Sequence, residues 1–255
     1  MDKAILNVND LSIGFGDKTI ISNCTFSLNG GDVVLLEGSN GTGKSTLLKA
    51  ILGICESGTW CNGQISISGS ANVLAMNEGE LLKLRSKIGY LEQKDAYDMY
   101  YGITVKEVLA DSLEAYKDAR LTKDDYSYIE EVFNKYIPSE AKFSLKSKVN
   151  KLSGGQQRMV SIIASLCLRK DASVFIIDEP LNNLDINTIV HISNILNTIR
   201  LENPQALMIL VSHCKIFPFI SKVATIKNEK VEISDTGIVC NACFGKPNED
   251  GFYYE

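Results

Sequence analysis

Long apolar runs are missing from this 255-residue chain. The longest, among them Val33–Leu36, Val174–Ile177 and Leu207–Val211, fall far short of the roughly 18 residues a helix needs to cross a bilayer. The opening residues, MDKAILNVND, lack the basic stretch and apolar core of a secretory signal. A cytoplasmic location is therefore expected, with any tie to a membrane running through a separate protein. A basic excess is missing too. The net charge is −5, whereas a chain that grips nucleic acid through its phosphates leans basic, so no nucleic-acid partner is expected. An even set of cysteines is also absent. Cys24, Cys55, Cys61, Cys167, Cys214, Cys240 and Cys243 are odd in number and scattered, which predicts free thiols. Cys240 and Cys243 form a lone CxxC without partners at zinc spacing, and read as structural or exposed. Internal repeats and long flexible linkers are not found. What remains is an ordinary globular composition, 45% hydrophobic, in a length that suits one large α/β domain or two small ones.

Strand-like runs open the chain at residues 4–8 and 19–28. DVVLLEG (32–38) is a continuous apolar run bounded by glycine, the pattern of a buried parallel strand. A helix is expected over 46–53, a short strand within 56–69, and a helix then a strand over 79–93. From about 94 to 152 the pattern turns helical. Thr104 and Glu107 have the spacing of a capping box, as do Thr122 and Asp125, and Ile129, Val132, Phe133, Tyr136 and Ile137 recur at helical spacing. This stretch reads as a helical insertion into a sheet-based domain. The α/β alternation then resumes: a helix over 156–169, a buried strand over 173–180, and a helix over 186–203 with Ile189, Val190, Ile195, Leu196 and Ile199 on its apolar face. His191 on that helix reads as a surface residue. A buried strand over 206–213 and two closing strands, 222–226 and 230–234, complete the pattern.

Three stretches carry chemistry. Gly38, Ser39, Asn40, Gly41, Thr42, Gly43, Lys44 and Ser45 fit the phosphate-loop pattern G-x-x-x-x-G-K-[ST], with Thr46 next, between a buried strand and a helix. Glycines let backbone N–H groups turn inward around an anion, and the helix start adds a partial positive charge. Lys44 would reach the β- and γ-phosphates, and Ser45 would ligate Mg²⁺. Asp178 and Glu179 end an apolar strand, where unpaired acids are costly without a cation. Asp178 suits the Mg²⁺ shell and Glu179 a general base or water-orienting group. Ser153, Gly154 and Gly155 leave the start of the next helix bare, so its free N–H groups are open to an anion.

LSGGQ (152–156), GSNGTGKS (38–45), FIIDEP (175–180) and VSH (211–213), in one chain and in the family's order, resemble the ATPase domain of the ATP-binding cassette (ABC) family over about residues 3–235. The resemblance implies an α/β phosphate-loop NTPase core, its mostly parallel sheet flanked by helices, with an N-terminal antiparallel β subdomain and an inserted helical subdomain. The domain would span 1–240, with its core in 1–93 and 153–235, the helical subdomain in 94–152 and a tail over 241–255. ATP and Mg²⁺ are the implied cofactors. Gln93 resembles the glutamine that touches Mg²⁺ and the attacking water. Asn182 to Asp185 resemble the loop that crosses a dimer interface, His213 the histidine that contacts the γ-phosphate, and Phe15 the aromatic that stacks on adenine. Phe15 replaces the commoner tyrosine, and Cys214 stands where an acid is common after the histidine.

The family pairs two chains head to tail, each ATP lying between the phosphate loop of one and Ser153, Gly154, Gly155 and Gln156 of the other. The partner would be a second copy or another ABC ATPase subunit. Two functions compete: the energy-coupling subunit of a transporter with separate transmembrane subunits, and a soluble assembly motor of the iron–sulfur type. The first is favoured, and Tyr97, Met99, Tyr100 and Tyr101 would suit its membrane-facing groove. The presence of Glu179 disfavours a non-catalytic nucleotide-binding module.

Overall fold

The computed structural model describes residues 4–93, 102–138, 141–212 and 217–235. Two sheets organise it. Strands β1 (Ala4–Phe15), β2 (Lys18–Asn29) and β4 (Thr59–Ile67) form an antiparallel sheet in the order β2-β1-β4. Strands β3 (Val33–Glu37), β5 (Ile88–Leu91), β6 (Val174–Asp178), β7 (Leu207–Val211), β8 (Lys222–Lys227) and β9 (Lys230–Asp235) form the second, in the order β5-β6-β7-β3-β8-β9. There β5, β6, β7, β3 and β8 are parallel and β9 closes the edge antiparallel. This is the expected phosphate-loop NTPase architecture.

The continuous apolar runs are explained by burial on both faces of the six-stranded sheet. Side chains alternate along a strand, so Val33 and Leu35 enter one core and Val34 and Leu36 the other. The first core packs under helices α3 (Val105–Lys117), α4 (Lys123–Tyr136), α5 (Gly154–Ile162) and α6 (Ile186–Glu202). The second packs under the antiparallel sheet, α1 (Lys44–Ile51) and α2 (Glu78–Arg85).

The helical insertion forms where its capping boxes place it. Thr104 and Glu107 cap α3 reciprocally, and Thr122 and Asp125 cap α4. Elsewhere the expectation needs correcting. β1 runs on to Phe15 because bulges, with Asp10 at φ 47°, break the alternation that marks a strand. The helix read over 156–169 is α-helical only over Gly154–Ile162 and widens into a π-turn at Ile163–Cys167. Ser112 of α3 donates to the Ala164 carbonyl of that turn at 2.7 Å, fastening the insertion to the core. The buried face of α6 includes Ile192 and Asn197, while Ile189 and Val190 are half-buried. His191 is not a free surface residue: its Nε2 lies 2.9 Å from the Tyr136 carbonyl, joining α6 to the end of α4.

Asp125 couples the two insertion helices. It accepts from Lys117 Nζ at 2.6 Å and from the Thr122 amide and hydroxyl at 2.8 Å each. Lys117 first, then Thr122, hold its carboxyl at about 2, below its value of about 4 in an unfolded chain. A depressed acid stabilises the fold above the unfolded value and loses that contribution as pH falls through the folded one. The stability gap between the native chain and Asp125→Asn, measured by urea titration, should therefore be full above about pH 4 and close towards pH 2. A gap that stays constant across that window would remove the coupling.

Candidate nucleotide site

Parallel neighbours put their ends on one edge of the sheet. β3, β7 and β6 lie side by side, so Glu37, Val211 and Asp178 open at the same rim, where α/β sheets hold ligands. The loop after β3 turns through Gly41 at φ 80° and Gly43 at φ 98°, a region that favours glycine. A Cβ on Gly43 would also meet an Ile20 methyl at 2.3 Å. Thr42 Oγ1 closes the turn on the Ser39 carbonyl at 2.9 Å. α1 begins without a side-chain cap, which leaves its first N–H groups for an anion.

Lys44 lies across this loop, its Nζ donating to the carbonyls of Gly38 at 2.8 Å and Ser39 at 3.2 Å. Ser45 Oγ donates to Asp178 Oδ2 at 3.0 Å. Asp178 is buried, and burial lifts its carboxyl above the usual range, opposed by the Ser45 bond and the Lys44, Arg158 and Lys49 charges. A hard cation would relieve that desolvated carboxylate, and the donors here are oxygens: the Ser45 hydroxyl, the Asp178 carboxylate and the Gln93 carboxamide. Among the described residues no cluster of three or more His, Cys, Asp or Glu could cage an ion. A small oxygen set that leaves places for water and phosphate fits Mg²⁺.

Lys44, Ser45, Gln93, Asp178, Glu179 and Asn182 line one cavity of about 450 Å³. Consecutive residues of an extended strand point to opposite faces, yet Asp178 and Glu179 both line it. The turn comes from Glu179, which sits at φ 47°, an uncommon conformation for a residue with a Cβ. Its amide donates to the Val211 carbonyl at 2.9 Å, and its carbonyl accepts from Arg158 at 3.0 Å. Strained backbone of this kind persists where the surroundings over-determine it.

Arg158 is the residue that motif reading missed. It is 4% exposed and sits on α5. Its Nε donates to the Pro180 carbonyl, Nη1 to Glu92, and Nη2 to Asp178 and Glu179, at 2.7 to 3.2 Å. One guanidinium thus ties the helix after LSGGQ to the acid-bearing turn and to the residue before Gln93. The signal is a lone charge inside QQRMVSIIASL, at a buried position of an otherwise apolar helix.

The other expected residues fall in separate places. Ser153 Oγ accepts from the Gln156 amide at 3.4 Å, while Gln156 Oε1 accepts from the Ser153 amide at 3.0 Å, a capping box. Neither Ser153 nor Gly154 nor Gly155 lines the cavity at Lys44. Gly155 is small for a reason within the chain, since an added Cβ would lie 3.1 Å from Thr188. Gly154 shows no such reason: an added Cβ would meet nothing within 4 Å among the described residues. Asp185 caps α6 through the Thr188 amide and hydroxyl, bonds that lower its carboxyl. Phe15, 58% exposed, stands at the end of β1 against Gly58. His213, Cys214, the tyrosines at 97, 100 and 101, Met99, Cys240 and Cys243 lie outside the described residues.

Comparison with known proteins agrees with this geometry. The family model described as "ABC transporter" matches residues 21–182. The zinc import ATP-binding protein ZnuC of Rickettsia bellii is 30% identical over 249 residues, covering 97% of this chain and 89% of that protein. The energy-coupling factor transporter ATP-binding protein EcfA of Aster yellows witches'-broom phytoplasma is 29% identical over 213 residues, 82% of this chain and 70% of that protein. A solved ATP-binding subunit of an ABC transporter superposes with a TM-score of 0.73 at 25% identity, covering 91% of this chain and 90% of the other.

Arg158→Lys keeps the charge and loses the planar fork, so buried carbonyls lose donors at about 1–3 kcal/mol each. The variant should unfold at least about 2 kcal/mol more easily in urea. An unchanged midpoint would mean the guanidinium is not holding these segments together.

Proposed function

Because the chain belongs to the ABC transporter family, as an ATP-binding subunit that hydrolyses ATP, we propose that it does so as one half of a head-to-tail pair. The pair, two copies or one copy with another ATP-binding subunit, drives separate transmembrane subunits from their cytoplasmic side. The relatives compared are transporter subunits, which favours transport over a soluble assembly motor.

The observation that carries the pairing is Gly154. It leaves the start of α5 uncovered although nothing among the described residues needs the space, and it stands apart from the Lys44 cavity. A phosphate bound at Lys44 of one chain, facing residues 153–155 of the other, would use both anion sites at once. Ser153 Oγ already accepts the Gln156 amide, so its O–H proton is the group it has to offer a phosphate oxygen.

Within each site the amides of residues 38–46 cradle the phosphates, and the Lys44 ammonium exchanges loop carbonyls for phosphate oxygens. Mg²⁺, held by Ser45 and Asp178 beside Gln93, would screen the charge between the β- and γ-phosphates. Glu179 takes a proton from the attacking water as its oxygen bonds to the γ-phosphorus and the ADP oxygen leaves. Phe15 offers a ring face to adenine, and His213 is assigned to the γ-phosphate. Loss of the shared phosphate group removes the bridge between the chains and lets them part.

Two variants test this reading. Glu179→Gln should keep ATP binding, lower turnover by about 10²-fold or more and accumulate an ATP-bound dimer in size-exclusion chromatography. Undiminished turnover would reject Glu179 as the base. Gly154→Leu should fold, since a Cβ there meets nothing within 4 Å among the described residues, yet lose turnover and the ATP-dependent dimer. A fully active Gly154→Leu enzyme would sink the pairing.

A further inference from the structure

Two thiols outside the phosphate site lie in contact. Cys55 Sγ is 3.9 Å from Cys61 Sγ. Cys55 is exposed and Cys61 half-buried, and both are free. They bracket the turn that leads from the end of α1 into β4. That turn supports Phe15. The Gly16 amide donates to the Gly58 carbonyl at 3.0 Å, Trp60 Nε1 donates to the Gly16 carbonyl at 2.9 Å, and Phe15 pairs with Thr59 across the sheet. The Phe15 ring lies so close to Gly58 that an added Cβ would be 3.1 Å from it. On its other side the turn is moored to α1 by the Lys49–Glu56 ion pair.

We propose that Cys55 and Cys61 form a reversible dithiol–disulfide site for peroxides, and that its closure shifts the turn under Phe15 and weakens ATP binding. Exposure makes Cys55 the attacking thiol. Its thiolate displaces one oxygen of the peroxide, giving a sulfenic acid and an alcohol or water. Cys61 then attacks the sulfenic sulfur. The S–S bond forms, the S–O bond breaks, and the hydroxide leaves as water with the Cys61 proton. The two sulfurs lose two electrons and the peroxide gains them. Burial, and then its neighbour Cys55, push the Cys61 thiol up to about 12, which keeps that proton in place until the second step. The bond needs sulfurs about 2 Å apart, against 3.9 Å here, so closure draws the two side chains together and loads the turn between them. The effect on ATP rests on the reading of Phe15 as the adenine platform; the disulfide does not.

Both cysteines fall in the tryptic peptide 50–83, and cleavage after Glu56 separates them. After hydrogen peroxide treatment of the full chain, mass spectrometry should find the two Glu56 fragments still joined, and apart again after dithiothreitol. Cys61→Ser should stop at a sulfenic acid on Cys55 that dimedone traps. Trp60, the one tryptophan in the chain, should change emission on oxidation. The Kd for ATP should rise about three- to tenfold, the worth of one aromatic stacking contact, and should not respond to peroxide in Cys55→Ser. Fragments that separate without reductant would overturn the site. A disulfide with an unchanged Kd would overturn its link to ATP. Phe15→Ala, run in parallel, keeps the two readings apart: if it binds ATP normally while Lys44→Ala does not, the platform has failed rather than the dithiol.

Discussion

A buried guanidinium holds the catalytic half of this molecule in register. Arg158 reaches carbonyls at Glu92, Asp178, Glu179 and Pro180, and so makes one rigid junction of three segments remote in sequence. A buried carbonyl left without a donor is costly, and this one side chain supplies donors to all four. An arginine suits the task because its five donors are fixed in one plane. The left-handed turn at Glu179 depends on this junction, and the convergence of two adjacent acids on one cavity depends on the turn.

The same junction links the two regions proposed to meet phosphate. α5 begins with the bare residues 153–155 and carries Arg158 one turn later. A force on the start of that helix is therefore delivered to the acids and to the segment before Gln93 without passing through flexible chain. The second attachment, Ser112 to the π-turn carbonyl of Ala164, ties the helical insertion to the far end of the same helical segment. Movement of α3 is therefore felt at that end of the segment.

Much of this was legible in the residues. The capping boxes at Thr104 and Thr122 read true because a capping pair satisfies its helix locally, whatever the tertiary context. The buried strands read true because burial on two faces leaves no polar position in the run. The phosphate loop, the acids and Gln93 were legible as motifs, and the fold brings them to one cavity. The π-turn was not legible, since widening a helix by one residue leaves its composition unchanged. The second half of β1 was hidden by bulges that break period two. His191 and Arg158 were passed over for a common reason: a polar residue on a helix reads as solvent-facing until the carbonyls that accept its protons are located, and those belong to segments far along the chain.

The hairpin between β8 and β9 also reaches back to the other sheet. Glu229 accepts the Ser22 amide at 2.8 Å, Lys230 Nζ donates to the Ser22 carbonyl at 2.7 Å, and Cys24 Sγ accepts the Val231 amide at 3.3 Å. Lys230 follows Ser22 by 208 residues. During synthesis the outer edge of β2 must wait, open to wrong neighbours, until that intervening chain has emerged. A strand edge made early is thus guarded by a hairpin made late.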